Sequence, residues 1–319
     1  MDRSTGDMYS VKMVDRRQVR EEFLFRNEIS MLMAIQGQTT TALQLSQVLH
    51  DDNRMYMFTE LMNEGTLEGL IQHRSRQERI DSGLPEAQVK LLVRSLLEGL
   101  QALHGLGICH NRIAPEHILL DADGTQVKLC DFGSASYDAL PQATSMSAEP
   151  KIISSKQLQY TAPELLSQHS TCSHPSLTCD LWSVGVVVYY VLSGQLPFQV
   201  ETSSSSASSS KSSKRSQIRD KICRAMYDFS GPEWNGVSRE AKQFVSALLH
   251  LDPQVRLTAP EALQHQWLMA GVAPQQANKT STYMSSKKEN GGRRLWRGHR
   301  PRSKNRSGIL SRLFVARKG

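Results

Sequence analysis

The sequence predicts an α+β protein with a small, strand-rich first lobe and a larger, mainly helical second one. Two observations carry this. Strand-like runs gather near the front, and long apolar periodicities of helical type dominate after residue 86. The composition, 39% apolar and 22% charged, is that of a globular protein.

Taken in order, MYSVKMV (8–14) reads as a short strand, and Arg16 to Ile35 carries a helix-like pattern at Val19, Phe23, Ile29, Leu32 and Met33. MYMFTELM (55–62) reads as a second strand ending in the turn NEG. Glu86 to Leu106 is strongly helical, with Pro85 at its first turn and Gly105 and Gly107 at its end. ILLDADGTQVKLC then reads as a hairpin turning at DADG. Beyond Pro163 the pattern is mostly helical as far as Trp267.

Two segments depart from this order. ETSSSSASSSKSSKRSQ (201–217) is serine-rich and reads as a flexible insertion. The chain after about residue 271 is rich in Gly, Ser and Arg. From Asn278 onward it holds 13 Lys and Arg against one acid, so the overall charge of +7 belongs to this tail and the body carries −5. No apolar run approaches the roughly 18 residues of a membrane helix, and VGVVVYYVL from Val184 reads as a buried helix. The N-terminus lacks the pattern of a signal peptide. Five cysteines without metal-ligand spacing suit free thiols in a reducing compartment, hence an intracellular protein, nuclear or cytoplasmic.

DFG (131–133) alone carries little weight. It is preceded, however, by His110, Pro115 and Glu116 in H-x-x-x-x-P-E. It is followed by APE (162–164), D-x-W-S-x-G (Asp180 to Gly185) and LDPQVRL (Leu251 to Leu257). With five motifs in this order the chain resembles the eukaryotic protein kinase domain over roughly residues 8–268. LSGQLPFQ and KICRAMYDFSGPEWNGVSREAKQFVSALLHLDPQVRL are similar to the C-terminal kinase domain of the mitogen- and stress-activated (ribosomal-protein) Ser/Thr kinases.

The resemblance implies a bilobal fold: a partial small lobe over 1–62, a large lobe over 63–270 containing the insertion, and a disordered basic tail over 271–319. It places Lys12 and Glu28 as the ion pair that positions ATP, and Thr59 at the gatekeeper. Glu60 to Met62 fall at the adenine-contacting hinge, Leu119 on the pocket floor, and Asp131 at the magnesium ligand. Glu164 and Arg256 fall at a structural ion pair, and Asp180 where it would brace the catalytic loop.

The catalytic loop departs from that pattern. The family's H-R-D-L-K-P-E-N is H-N-R-I-A-P-E-H here, so Arg112 replaces the catalytic aspartate, Ala114 the phosphate-neutralising lysine and His117 the second magnesium ligand. Arg112 reverses a charge: a cation about 8 Å from a divalent metal is repelled by roughly 4 kcal/mol at an effective dielectric of about 20. It can pair with Asp131 instead, and it cannot act as a base near neutral pH. No G-x-G-x-x-G precedes Lys12, so the expected small lobe is truncated, either because the sequence begins inside a longer product or because the lobe is incomplete.

These features predict a pseudokinase with a regulatory or scaffold role in MAP-kinase-linked signalling, binding ATP and magnesium weakly if at all. Two alternatives stand beside it. One is a weakly active Ser/Thr kinase. The other is a nucleic-acid or chromatin adaptor acting through the tail. In the tail, basic residues Arg302, Lys304 and Arg306 precede Ile309, Leu310, Leu313 and Val315, an order that in the related kinases serves MAP-kinase docking; Arg302–Val315 is the candidate segment.

Overall fold

The computed structural model describes residues 7–78, 83–121, 124–138, 154–166, 176–200, 211–269 and 311–313. The fold is α+β, as the sequence predicts. In the small lobe, β1 (Tyr9–Asp15) leads into α1 (Val19–Ile35), followed by β2 (Leu45–His50) and β3 (Arg54–Glu60). The central strand β3 pairs antiparallel with β1, placing Lys12 opposite Met57, and antiparallel with β2 on its other side. Met55, Met57 and Thr59 alternate inward along β3 as period-two geometry requires. Met55 and Met57 share one continuous core with Phe25, Leu32 and Ile35 of α1.

The large lobe opens with α2 (Leu67–Glu78) and α3 (Glu86–Gly105). Along α3, Val89, Leu92, Val93, Leu96, Leu97, Leu100 and Leu103 are buried as periodicity foresees, whereas Leu91, read as part of the same pattern, is exposed. Then come β4 (Ile108–Cys109), the hairpin β5 (Ile118–Leu120) with β6 (Val127–Leu129), and β7 (Ser136–Tyr137), which pairs with β4. After the single turn α4 (Ser155–Leu158), α5 (Leu177–Ser193) runs through the lobe's centre, buried nearly all round and ended by Gly194 in the left-handed region, at φ 79°. Gly185 permits its closest contact: a Cβ there would lie 2.9 Å from Leu248 Cβ. Each buried Val or Leu of this helix contributes roughly 1.5–3 kcal/mol.

The lobe closes with α6 (Lys211–Cys223), α7 (Arg239–Leu248), α8 (Ala259–Leu263) and α9 (Gln266–Met269). Ser238 caps α7 by accepting from Ala241 N at 3.1 Å, and its hydroxyl donates to Glu86 at 2.7 Å, tying α7 to α3. Arg256 is fully buried. It donates to Glu164 at 2.6 and 3.0 Å and to the Thr178 and His250 carbonyls at 2.9 and 3.0 Å, and lies 5.2 Å from the Trp182 ring. The structural pair expected from sequence is therefore present.

Some expectations need correction. The flexible insertion expected over 201–217 is helical from Lys211 onward, as the start of α6, while 201–210 lie outside the described residues. The tail expected to be disordered over 271–319 also lies outside them, except for Ser311–Leu313, which form a strand, β8, antiparallel to β2. The candidate docking segment Arg302–Val315 is thus described at those three positions alone. Strand β2 was not foreseen because a register shift between Leu45 and Gln47 breaks its alternation. No helix of the described residues is long and apolar enough to cross a membrane.

Candidate functional site

Asp180, in the first turn of α5, sets the shape of the catalytic loop. Fully buried, it accepts from the backbone N–H groups of His110 and Asn111, each at 2.8 Å, and faces His104 Nε2 at 3.0 Å. Asn111 adopts φ 62°, held there by its amide donating to Ser134 O at 3.1 Å and Ser136 Oγ at 2.9 Å. Burial pushes the Asp180 carboxyl up, but His104 and the loop N–H groups outweigh it and hold the group below its ordinary value of 3.8. A carboxylate depressed in the folded state stabilises above its unfolded value, and this is lost as pH falls toward the folded value. The resistance of the wild-type protein to urea is therefore expected to fall progressively below about pH 4. Asp180→Asn will be less stable near neutrality and show a flatter acid limb; an equally steep limb would contradict the assignment.

Above this loop, five side chains converge. Lys12 Nζ, from β1, lies 2.5 Å from Glu28 of α1 and 3.1 Å from Asp131 Oδ1. One terminal nitrogen of Arg112 is ion-paired with Asp131 Oδ2 at 2.7 Å, and His117 Nε2 faces the same oxygen at 3.3 Å. The pairing of Arg112 with Asp131 suggested by the sequence is thus realised. His117 Nδ1 donates to the Arg112 carbonyl at 2.8 Å, which orients its ring toward Asp131. Two cations and two carboxylates close the cluster's charge before His117 is counted. Burial lowers the affinity of Lys12 for its proton, yet Glu28 and Asp131 raise it overall. Burial likewise raises Asp131, while Lys12, Arg112 and His117 bring it below the ordinary carboxylate range.

The segment carrying Asp131 is fixed from both sides. Asp131 itself has φ 65° and ψ 58°, and the buried Phe132 meets the buried His110 ring edge-on at 4.7 Å. From α1, the Asn27 amide donates to the Gly133 and Ala135 carbonyls at 3.0 and 2.9 Å. Cys130, next in line, is pushed up to about 12 by burial and by the Asp131 and Glu28 carboxylates, which leaves it a thiol.

The other predicted residues lie apart from this cluster. Thr59 is buried at the end of β3, while Met62 and Leu119 are half-buried. The carboxylate of Glu60 is engaged by Lys128 Nζ at 2.6 and 2.7 Å and by Gln44 N at 2.8 Å. A contact from Glu60 to a ligand would therefore fall to its backbone. Ala114 is buried and brings no charge.

A divalent cation does not fit Asp131 as arranged. One carboxylate oxygen is taken by Lys12 and the other by Arg112 and His117. A metal replacing these contacts about 4 Å from the guanidinium would meet roughly 8 kcal/mol of repulsion at an effective dielectric of about 20. Among the described residues, no three His, Cys, Asp or Glu side chains form a group able to hold a metal ion.

Sequence reasoning missed Asn27, His104, Lys128 and Lys156. Lys156 lies 3.2 Å from Glu116 and 3.6 Å from Glu68, joining the 154–166 segment to the catalytic loop and α2. Asn27 had one signal, its place beside Glu28; the others meet partners distant in sequence.

Comparison with known proteins agrees with this arrangement. The family model described as protein kinase domain matches residues 1–268. The chain belongs to the protein kinase domain family. This kinase domain is 35% identical to mouse ribosomal protein S6 kinase alpha-4 over 85% of its own length and 32% of the relative's. It is 30% identical to a putative ribosomal protein S6 kinase alpha-2 of Caenorhabditis elegans, over 88% of this chain and 35% of the relative. It is also 30% identical to a serine/threonine-protein kinase H1 homolog of Pinctada fucata, over 85% of this chain and 58% of that one. The chain thus spans about a third of the S6 kinases it matches.

Proposed function

We propose that this kinase domain is a pseudokinase: it keeps the fold and transfers phosphate poorly or not at all, serving as a regulatory or scaffold unit in MAP-kinase-linked signalling. One observation supports this above the others. The carboxylate where the family holds magnesium is occupied by a guanidinium at 2.7 Å, and that guanidinium belongs to the residue standing in for the catalytic base. Phosphoryl transfer depends on positioning and charge neutralisation, and both are altered there. Lys12, the Glu60–Met62 backbone and Leu119 remain to contact a nucleotide, so binding of ATP is expected to be weak and nearly indifferent to magnesium. Radiolabel transfer from ATP to a serine peptide, compared between wild type and Asp131→Ala, tests the proposal. Expected is no transfer above the variant's background; magnesium-dependent transfer absent from the variant would overturn it.

A second reading, a weakly active Ser/Thr kinase, is favoured by the intact Lys12–Glu28 pair at 2.5 Å and the seated α1 helix. In that case the same assay gives a small Asp131-dependent signal.

A further inference from the structure

A cavity of about 90 Å³ opens beside the catalytic loop, walled by loop residues 111–114, 116 and 117, by residues of the 154–165 segment and by Cys179 and Ser183 of α5. We propose that it receives a phosphorylated serine or threonine side chain of a partner peptide, with Arg112 as the binding residue. The inference rests on the reading of Arg112 as a displaced catalytic position.

Space, charge and unspent donors point the same way. Ala114 forms part of the wall with a methyl group where the resemblance implies a long lysine, which leaves room for an incoming group. Among the lining residues Arg112 and Lys156 are cations and Glu116 is the one carboxylate, a net charge of +1 with His117 neutral. Glu116 is paired with Lys156 at 3.2 Å, which offsets its charge, while its Oε2 and the Asn111 Oδ1 are acceptors without a hydrogen-bond donor among the described residues. Arg112 is paired with Asp131 through one terminal nitrogen and its Nε is shielded from water, so a phosphate would meet the partly exposed guanidinium at its remaining terminal nitrogen. A phosphate oxygen is the acceptor that guanidinium geometry matches best. Ser154 Oγ accepts from Gln157 N at 3.1 Å, which leaves its hydroxyl proton to donate. An unmodified serine would meet a cation here rather than a base; a phosphate would be held and retained.

The test titrates the full chain with O-phospho-L-serine, L-serine and inorganic phosphate, following the thermal midpoint. Phosphoserine is expected to raise it saturably, serine not at all, and inorganic phosphate at least several-fold more weakly than phosphoserine. Arg112→Gln should weaken phosphoserine at least ten-fold, and Ala114→Met, which fills the cavity while keeping Arg112, should do the same. The basic tail is unchanged in both variants, so anion binding there appears as a shared residue and does not mimic the loss. Phosphoserine and serine acting alike, or both variants keeping the wild-type apparent affinity, would overturn the proposal. Inorganic phosphate binding as tightly as phosphoserine would assign the cavity to a free anion and overturn the peptide occupant. Transfer of radiolabel in the kinase assay bears on the pseudokinase reading alone, so the two failures are distinguishable.

Discussion

Arg112→Asp is expected to give a protein that magnesium stabilises more than it does the wild type. In the wild type the guanidinium neutralises Asp131 at 2.7 Å. The substitution removes that cation and sets a second carboxylate beside the first, so without metal the variant should lose on the order of 2 kcal/mol, discounted because Arg112 is partly exposed. The same change opens Asp131 Oδ2 and supplies the negative charge a divalent ion requires. With ATP and magnesium well above their dissociation constants, the midpoint should rise by roughly 5 °C or more, against little change in wild type. Adding Ala114→Lys and His117→Asn should enlarge the shift. A triple variant as blind to magnesium as the parent would show that charge at Arg112 is not what governs the site.

The largest loss of stability is expected from Arg256→Ala. This guanidinium has no exposed surface, and Glu164, its partner, is almost as buried. Removing one member of such a pair strands the other, at a cost of about 3–5 kcal/mol. Chemical denaturation should register this as a lower midpoint. Glu164→Gln introduced on the Arg256→Ala background should recover part of the loss, because the stranded carboxylate is then neutral. If the double variant is no better than the single one, the cost lies in the packing of Arg256 against Trp182 rather than in charge.

How much of this was legible depended on the range of the interactions concerned. The helices α3 and α5 were readable because periodicity or an unbroken apolar run is a local property that the core rewards; α1 was foreseen as a helix, but of the five residues read as its apolar face Leu32 alone is buried, while Val19, Phe23 and Met33 are exposed. The motif residues His110, Asp131, Glu164, Asp180 and Arg256 were readable because each anchors a turn or buried pair that needs that residue type. Arg112 with Asp131 followed from opposite charges in one cleft. Strand β2 was hidden by its bulge, and α2 by the polar run HRSRQE, which lacks an apolar stripe. In α6, serines and lysines fill the first turns, and local composition there gave no hint of the helix that its later residues complete. Lys156 bridging Glu68 and Glu116 joins groups 88 and 40 residues away, a juxtaposition that only the assembled fold creates.

The amide of Asn27 bonds two carbonyls of the chain that follows Asp131, so α1 cannot swing outward without breaking them together with the Lys12–Glu28 pair. A compound that displaces α1 must therefore work against three anchored contacts, whereas one that leaves the helix seated meets none of them.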